Sequence, residues 1–262
     1  MFAASHRVAL PLLLALLPAR APSLRPVRAV NGSPPWGRVA SAATEQPPAS
    51  RIDAAIFTVR VRGEPLGREQ ISVHRATAAD GVALELRSES AMGDRRIALR
   101  IDADAQGAPL RYALEERRGT EIALRIVGQR QRNRFATQTR AGGTEAAREF
   151  LAVAGTVIVD DDGLAQYALL LQGQRAAPER GRRTLQIVAP RGDRQGSIAL
   201  TRAADPDTVT IDGMLRPAVR WQLVTDRQET RWLWSDAEGR LLRVSIPARQ
   251  LDARRDEFPR SP

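Results

Sequence analysis

The chain has 262 residues, no cysteine and a formal net charge of +10. All forty basic residues are arginine, so a P-loop, a Schiff-base cofactor and a Ser–Lys nucleophile are excluded, and the lack of cysteine excludes disulfides, thiol catalysis and zinc ribbons. The charge does not mark a nucleic-acid binder: five arginines precede the first acidic residue, Glu45, and the others alternate in sign with 30 acidic residues, without a basic block or an aromatic-rich single-strand motif.

The N-terminus, MFAASHRVALPLLLALLPARA, carries Arg7, an apolar run from Val8 to Leu17 and a small-x-small site at Ala19-Arg20-Ala21. A run this short cannot span a bilayer as a helix, so residues 1–21 are predicted to be an export signal and the mature protein periplasmic or secreted. Pro22 disfavours cleavage after Ala21, which leaves Ser41-x-Ala43 as a second site. Residues 22–50 are rich in Pro, Ala and Arg without periodicity and read as a disordered linker. The remaining chain, about 210 to 240 residues whichever cut is used, is long enough to build its own core.

From Arg51 the pattern changes to short alternating runs separated by turn residues: Phe57, Val59 and Val61, then Ile71 and Val73, then Val82, Leu84 and Leu86. The rhythm continues through RRIALRIDA, PLRYALEER, EIALRIVGQ and, after residue 180, through RTLQIVAP, GSIALTR, AVRWQLVTD and RLLRVSIP. Period two over so many segments predicts a mainly β fold, a strongly curved antiparallel sheet or open barrel, with one face buried. The predicted β domain is 51–250, in halves 51–159 and 174–250 around a helix at 162–172, with a polar C-terminal tail at 251–262.

The motif Asp104-Ala105-x-Gly107-x-x-Leu110-Arg111 recurs as Asp236-Ala237-x-Gly239-x-x-Leu242-Arg243. In the later copy a three-residue loop with Gly239 left-handed pairs Asp236 with Arg240, which sets Trp234 opposite Leu242 and Trp232 opposite Val244. The earlier copy needs a different loop length, because apolar pairing there sets Ile101 opposite Tyr112 or Leu110. Between the halves lies VIVDDDGLAQYALLLQ, residues 157–172. Leu164, Tyr167, Ala168 and Leu171 recur at helical spacing, and Asp160, Asp161 and Asp162 stand where a cap and first helical turn belong. The aspartates lack the alternating spacing of a calcium loop, so no metal and no cofactor is expected.

His74 is the one histidine outside the presumed signal; it lies on the face opposite Ile71 and Val73, and no G-x-S-x-G accompanies it, so a serine triad is not indicated. The later-copy register gathers Trp232, Trp234, Leu242 and Val244 on one face, with Trp221 on the preceding strand and Tyr167 and Leu171 on the helix above. These seven residues are the candidate ligand wall; a closed core is the alternative.

The order of signal, linker and curved strands, with GEPLGREQISV early, VIVDDDGLAQYALLLQ in the middle and VSIPARQLDARRDE late, resembles a group of poorly characterised bacterial envelope proteins. More distantly it is similar to the lipoprotein-carrier fold, a half-barrel that wraps a helix over an apolar cavity. The resemblance implies a periplasmic, non-enzymatic binding or carrier module for an apolar or amphipathic ligand, such as a lipid or a lipoprotein acyl chain. The absent lipidated cysteine means that membrane attachment is not implied, and neither nucleic acid nor a transmembrane segment is expected. A carboxylate-based hydrolase of an envelope glycan and a purely structural envelope protein are the alternatives.

Overall fold

The computed structural model describes residues 50–76, 81–161, 163–175 and 181–258; the presumed signal, most of the linker and Asp162 lie outside them. Strands hold 67% of the described residues and helical segments 6%, as the period-two patterning predicts. The first eight strands form an antiparallel meander: β1 (Ser50–Val61), β2 (Glu64–Arg75), β3 (Leu84–Met92), β4 (Arg95–Ala103), β5 (Pro109–Arg118), β6 (Glu121–Gln131), β7 (Arg134–Ala141) and β8 (Thr144–Leu151). The short β9 (Val157–Ile158) leads into helix α1 (Ala165–Gly173). The second set is β10 (Gly181–Ala189), β11 (Arg194–Arg202), β12 (Asp207–Ile211), β13 (Met214–Thr225), β14 (Thr230–Ser235), β15 (Leu241–Ile246) and β16 (Leu251–Arg255).

One curved, unclosed sheet contains both sets. Its order is β8-β7-β6-β5-β4-β3-β2-β1-β16-β15-β14-β13-β11-β10-β9, with β12 attached to β13 outside this path. The last strand joins the halves by pairing with β1 on one side and β15 on the other. The expected polar tail at 251–262 is therefore corrected: its first five residues are a central strand. Arg255 misleads the reading, because its guanidinium is buried against Asp53, with Nη2 donating to Oδ1 at 2.8 Å and Nη1 to Oδ2 at 3.1 Å. A bidentate pair satisfies a charge that would otherwise be excluded from the interior.

The inward residues of both halves, from Phe57, Leu86 and Ile101 to Leu200, Leu233 and Val244, form one core around α1. Ala165 to Leu171 are all buried, including Gln166, so the helix has no solvent face. A helix apolar on all sides belongs inside a core, and here the sheet wraps it. It begins three residues later than predicted, and neither Asp160 nor Asp161 caps it. The cap residue is Leu164, without a side-chain cap bond of its own. Glu69 of β2 supplies the acceptors instead: the N–H of Leu164 donates to Oε2 at 2.9 Å and that of Ala165 to Oε1 at 3.0 Å, while Ser88 Oγ donates to Oε1 at 2.8 Å.

The two copies of the Asp-Ala-x-Gly motif hold the other end of α1. Each folds as the same corner: Asp104 N–H donates to Ala108 O and Gly107 N–H to Asp104 O, as Asp236 N–H donates to Arg240 O and Gly239 N–H to Asp236 O. Both glycines have positive φ, +82° and +76°. Both corners are also followed by a bulge that skips one residue, Leu110 after Ala103–Pro109 and Leu242 after Ser235–Leu241. Gly107 and Gly239 lie against the carbonyls of Leu169 and Leu171, and a Cβ on Gly173 would overlap the Gln106 carbonyl. Among the described residues no helix is long and apolar enough to cross a membrane, which says nothing of a β-barrel.

Glu69→Ala would leave two helix N–H groups and a buried hydroxyl without an acceptor, and should lower unfolding stability by about 3 kcal/mol or more. Glu69→Gln keeps one acceptor oxygen and should lose about half as much. Urea denaturation of the two variants measures the difference.

Candidate functional site

The seven residues predicted to share a ligand wall are divided between the two faces of the sheet. Tyr167, Leu171, Trp221 and Val244 belong to the central core, each at most 8% exposed. Trp234 and Leu242 lie on the opposite face in a small cluster with Val209, Ile211 and Ala218, and Trp232 packs against it. The cause is the bulge at Leu242: Trp232 pairs with Ser245 and Trp234 with Arg243, one residue away from the predicted register. A shift of one residue sends a side chain through the sheet. The single tryptophan face is therefore corrected to two separate environments. Trp221 Nε1 donates to Ser235 Oγ at 3.1 Å inside, whereas Trp234 Nε1 donates to Asp207 Oδ2 at 3.0 Å outside, under the Arg243 guanidinium.

Asp160 and Asp161 bind the segment before α1 to both halves of the sheet. Tyr112 Oη on β5 donates to Asp160 Oδ2 at 2.9 Å, and the Arg191 N–H in the β10–β11 turn donates to Oδ1 at 3.1 Å. Arg191 itself ion-pairs with Glu116 of β5. Asp161 accepts from Arg231 Nη2 at 2.7 Å and Arg249 Nη2 at 3.1 Å, and Arg231 Nη1 donates to Tyr167 Oη at 2.5 Å. Farther along, Arg148 pairs with Asp193 at 2.9 Å and the Leu151 N–H donates to Gln195 Oε1 at 3.0 Å. Side chains thus bridge a sheet that its backbone leaves open.

Burial pushes the Asp160 carboxyl up to about 6, against the opposing pull of the Tyr112 hydroxyl and the Arg191 N–H. Burial, then the adjacent Asp160, drives the Tyr112 phenol well above its usual value. Glu69 is raised by burial as well. Asp161 and Glu229 go the other way: burial opposes their ionisation, but the Arg231 and Arg249 guanidinia outweigh it and hold both low. Perturbed carboxyls can signal catalysis, yet Glu69 and Asp160 are 1% and 2% exposed and their oxygens are engaged by groups that hold the fold. Among the described residues no group of three or more potential ligands is placed to hold a metal ion.

Open space lies on the outside of the sheet. A groove of about 450 Å³ crosses β1 to β5, floored by Ile56, Ala91 and Ala98 and rimmed by Arg68, Arg96 and Arg117, with Glu89 and Glu115 between them. A second, of about 350 Å³, shares Glu89, Ala98 and Glu115 with it and continues over Ala113 to Arg125 and Val127. Arg117 pairs with Glu115 at 2.7 Å and Arg68 lies 3.8 Å from Asp256. The guanidinia of Arg96 and Arg125 have no hydrogen bond or ion pair among the described residues. None of these positions was singled out from the sequence. The available signal was alanine at outward strand positions, where β-branched or larger residues are favoured.

No family model matches the chain, and no curated protein matches it either. Among solved structures it is similar to a β-barrel-like protein of a domain of unknown function, DUF1849, from Brucella abortus. That likeness has 11% identity and a TM-score of 0.51, over 78% of this chain and 94% of the other. A DUF1089 family protein from Pseudomonas aeruginosa aligns at 10% identity and a TM-score of 0.37, over 80% of this chain and 95% of the other. The first likeness supports the fold alone, a β-barrel-like one built on a curved sheet.

Asp160 titrates near 3.8 when unfolded and near 6 when folded, so the folded state binds its proton first and gains stability as pH falls from 7 towards 4. Glu69 acts in the same sense. Asp161 and Glu229 oppose it only at lower pH, as their ion pairs are protonated below the usual carboxylate range. The urea midpoint should therefore be higher at about pH 5 than at pH 7, and Asp160→Asn should flatten that rise.

Proposed function

We propose that the chain is an exported, non-enzymatic binding module of the bacterial envelope, and that its ligand is an anionic amphiphile held on the outer face of the sheet. The observation that carries this reading is the division of space. The inside is filled by α1, with seven consecutive buried residues, while the outer groove joins an apolar floor to an arginine rim. Such a surface suits a short alkyl chain with a phosphate or carboxylate head, since arginine offers paired donors to either group. Export rests on the leader-like N-terminus.

The lipoprotein-carrier resemblance suggests instead a ligand inside the half-barrel, which would require α1 to leave. Its N-terminus would then lose Glu69, Tyr167 would lose Arg231, and the close contact of Gly173 with Gln106 would be undone. Each of these contacts favours a permanent core over a removable plug. A hydrolase would need carboxylates converging in a cleft, and the two buried carboxyls with raised pKa serve the helix cap and the seam.

Calorimetric titration with dodecyl phosphate and with the zwitterionic dodecylphosphocholine tests the proposal. The phosphate should bind at least roughly tenfold more tightly, and the double variant Arg68→Glu, Arg96→Glu should lose at least roughly that factor. In a Trp36→Phe background, tryptophan emission should stay unchanged on binding, because Trp221 is in the core and Trp232 and Trp234 lie on β14, away from the groove. Equal affinity for both amphiphiles, or a shifted emission, would contradict the reading.

A further inference from the structure

Among the described strands, β8 and β12 each have a long edge that no neighbour pairs, and the chain treats these two differently. On β8 the turn Gly142–Gly143 makes Ala141 and Thr144 the first directly opposed pair, and a two-residue hairpin begins on a hydrogen-bonded pair. Bonding then alternates along the strand, so Glu145, Ala147, Glu149 and Leu151 point their peptide groups outward. The Leu151 N–H agrees, since it is taken by Gln195. This edge carries Glu145, Arg148 and Glu149, the charged guards that discourage another strand from adding.

The same count on β12 gives a different surface. Asp212 and Gly213 have φ of +50° and +73°, a type I′ turn, and Ile211 opposes Met214. Thr208 and Thr210 therefore face outward. The Thr208 N–H is already accepted by Asp207 Oδ1 at 2.7 Å, whereas the peptide groups of Thr210 have no protein partner among the described residues. The strand reads Asp-Thr-Val-Thr-Ile, with no charge after Asp207 and no proline. Val209 and Ile211 press its inner face onto Trp234 and Leu242, which holds the hairpin rigid. Beside Thr210, Leu215 is 72% exposed. A flat, β-branched, uncharged edge on a firmly seated hairpin is a template for strand addition.

We infer that β12 is a self-association edge, at which two copies of this chain pair antiparallel with Thr210 on the two-fold axis. Self-complementarity selects a second copy as the occupant. In this register Thr210 pairs with Thr210 of the second copy, Val209 faces Ile211 of the second copy, and Thr208 faces Asp212 of the second copy. The otherwise idle Thr210 N–H and C=O are satisfied in both directions, the Thr208 N–H stays with Asp207, and no like charges meet. Centring on Val209 instead would demand the Thr208 N–H that Asp207 already holds. Five residues per strand bury far less than the roughly 1,000 Å² of a stable interface, so the dimer is weak and forms at high protein concentration.

Sedimentation of the intact protein up to about 1 mM should show a growing dimer fraction. Thr210→Lys places a charge on the two-fold axis and should return the protein to monomer, with circular dichroism and melting unchanged. Because the chain has no cysteine, Thr210→Cys provides a second readout: a short bismaleimide should link it into covalent dimers, while Ala147→Cys on the guarded β8 edge should not link. A monomer throughout the concentration range, a dimer that survives Thr210→Lys, or equal linking at both cysteines would each overturn the inference.

Discussion

The structure depends on burying a helix that has no polar face. A nine-residue helix exposes unpaired N–H groups at its start and unpaired carbonyls at its end, and neither set can be left dry. Glu69 answers the first need from a neighbouring strand, as a buried carboxylate accepting two helix N–H groups and the Ser88 hydroxyl. Close approach answers the second: Gly107 and Gly239 bring the two Asp-Ala-x-Gly corners against the last turn, and Gln172 Nε2 donates to Glu238 O at 3.2 Å. The curvature of the sheet, the corners and the placement of β2 relative to α1 all serve one packing problem.

The open sheet poses a second problem, and charge solves it. The segment before α1 acts as a strap between the two halves, with Asp160 tied to β5 and the β10–β11 turn and Asp161 tied to β14 and the Pro247–Arg249 turn. The arginine-only composition suits this role. A guanidinium keeps its charge when buried and offers donors in several directions, as Arg231 does to Glu229, Tyr167 and Asp161 at once. Two guanidinia, those of Arg231 and Arg255, are buried in this way, each on a carboxylate of a distant segment.

Most strands, their one-sided burial and the central helix were legible because period two and period 3.6 are direct images of backbone geometry, whereas β7 and β8, RFATQTRA and TEAAREFL, carry too few apolar residues to show the period. What stayed hidden depended on distant partners. Nothing local marks Glu69 as a helix cap, since it lies nearly a hundred residues before α1. Asp160 to Asp162 had the right composition for a cap, but a long-range acceptor had already filled the place. The tryptophan face failed through a bulge, which has no residue signature of its own. Its trace was nevertheless present in the first copy of the motif, where apolar pairing of Ile101 with Tyr112 demanded one extra residue. Carrying that residue over to the second copy would have placed Trp232 and Trp234 outside. The outer groove was illegible because its floor, Ile56 with Ala91 and Ala98, comes from separate strands brought together only by register.

The closed interior of this curved sheet turns on whether α1 ever leaves. Native-state hydrogen exchange of the amides of Leu169, Leu170 and Leu171, buried in the later turns of α1, measures this directly. A helix that is permanent core should exchange only through global opening, with the same free energy and denaturant dependence as amides of β1 and β2. Exchange of those helix amides through a local opening several kcal/mol cheaper than global unfolding, while β1 and β2 stay protected, would show a removable plug and contradict the account of a closed interior.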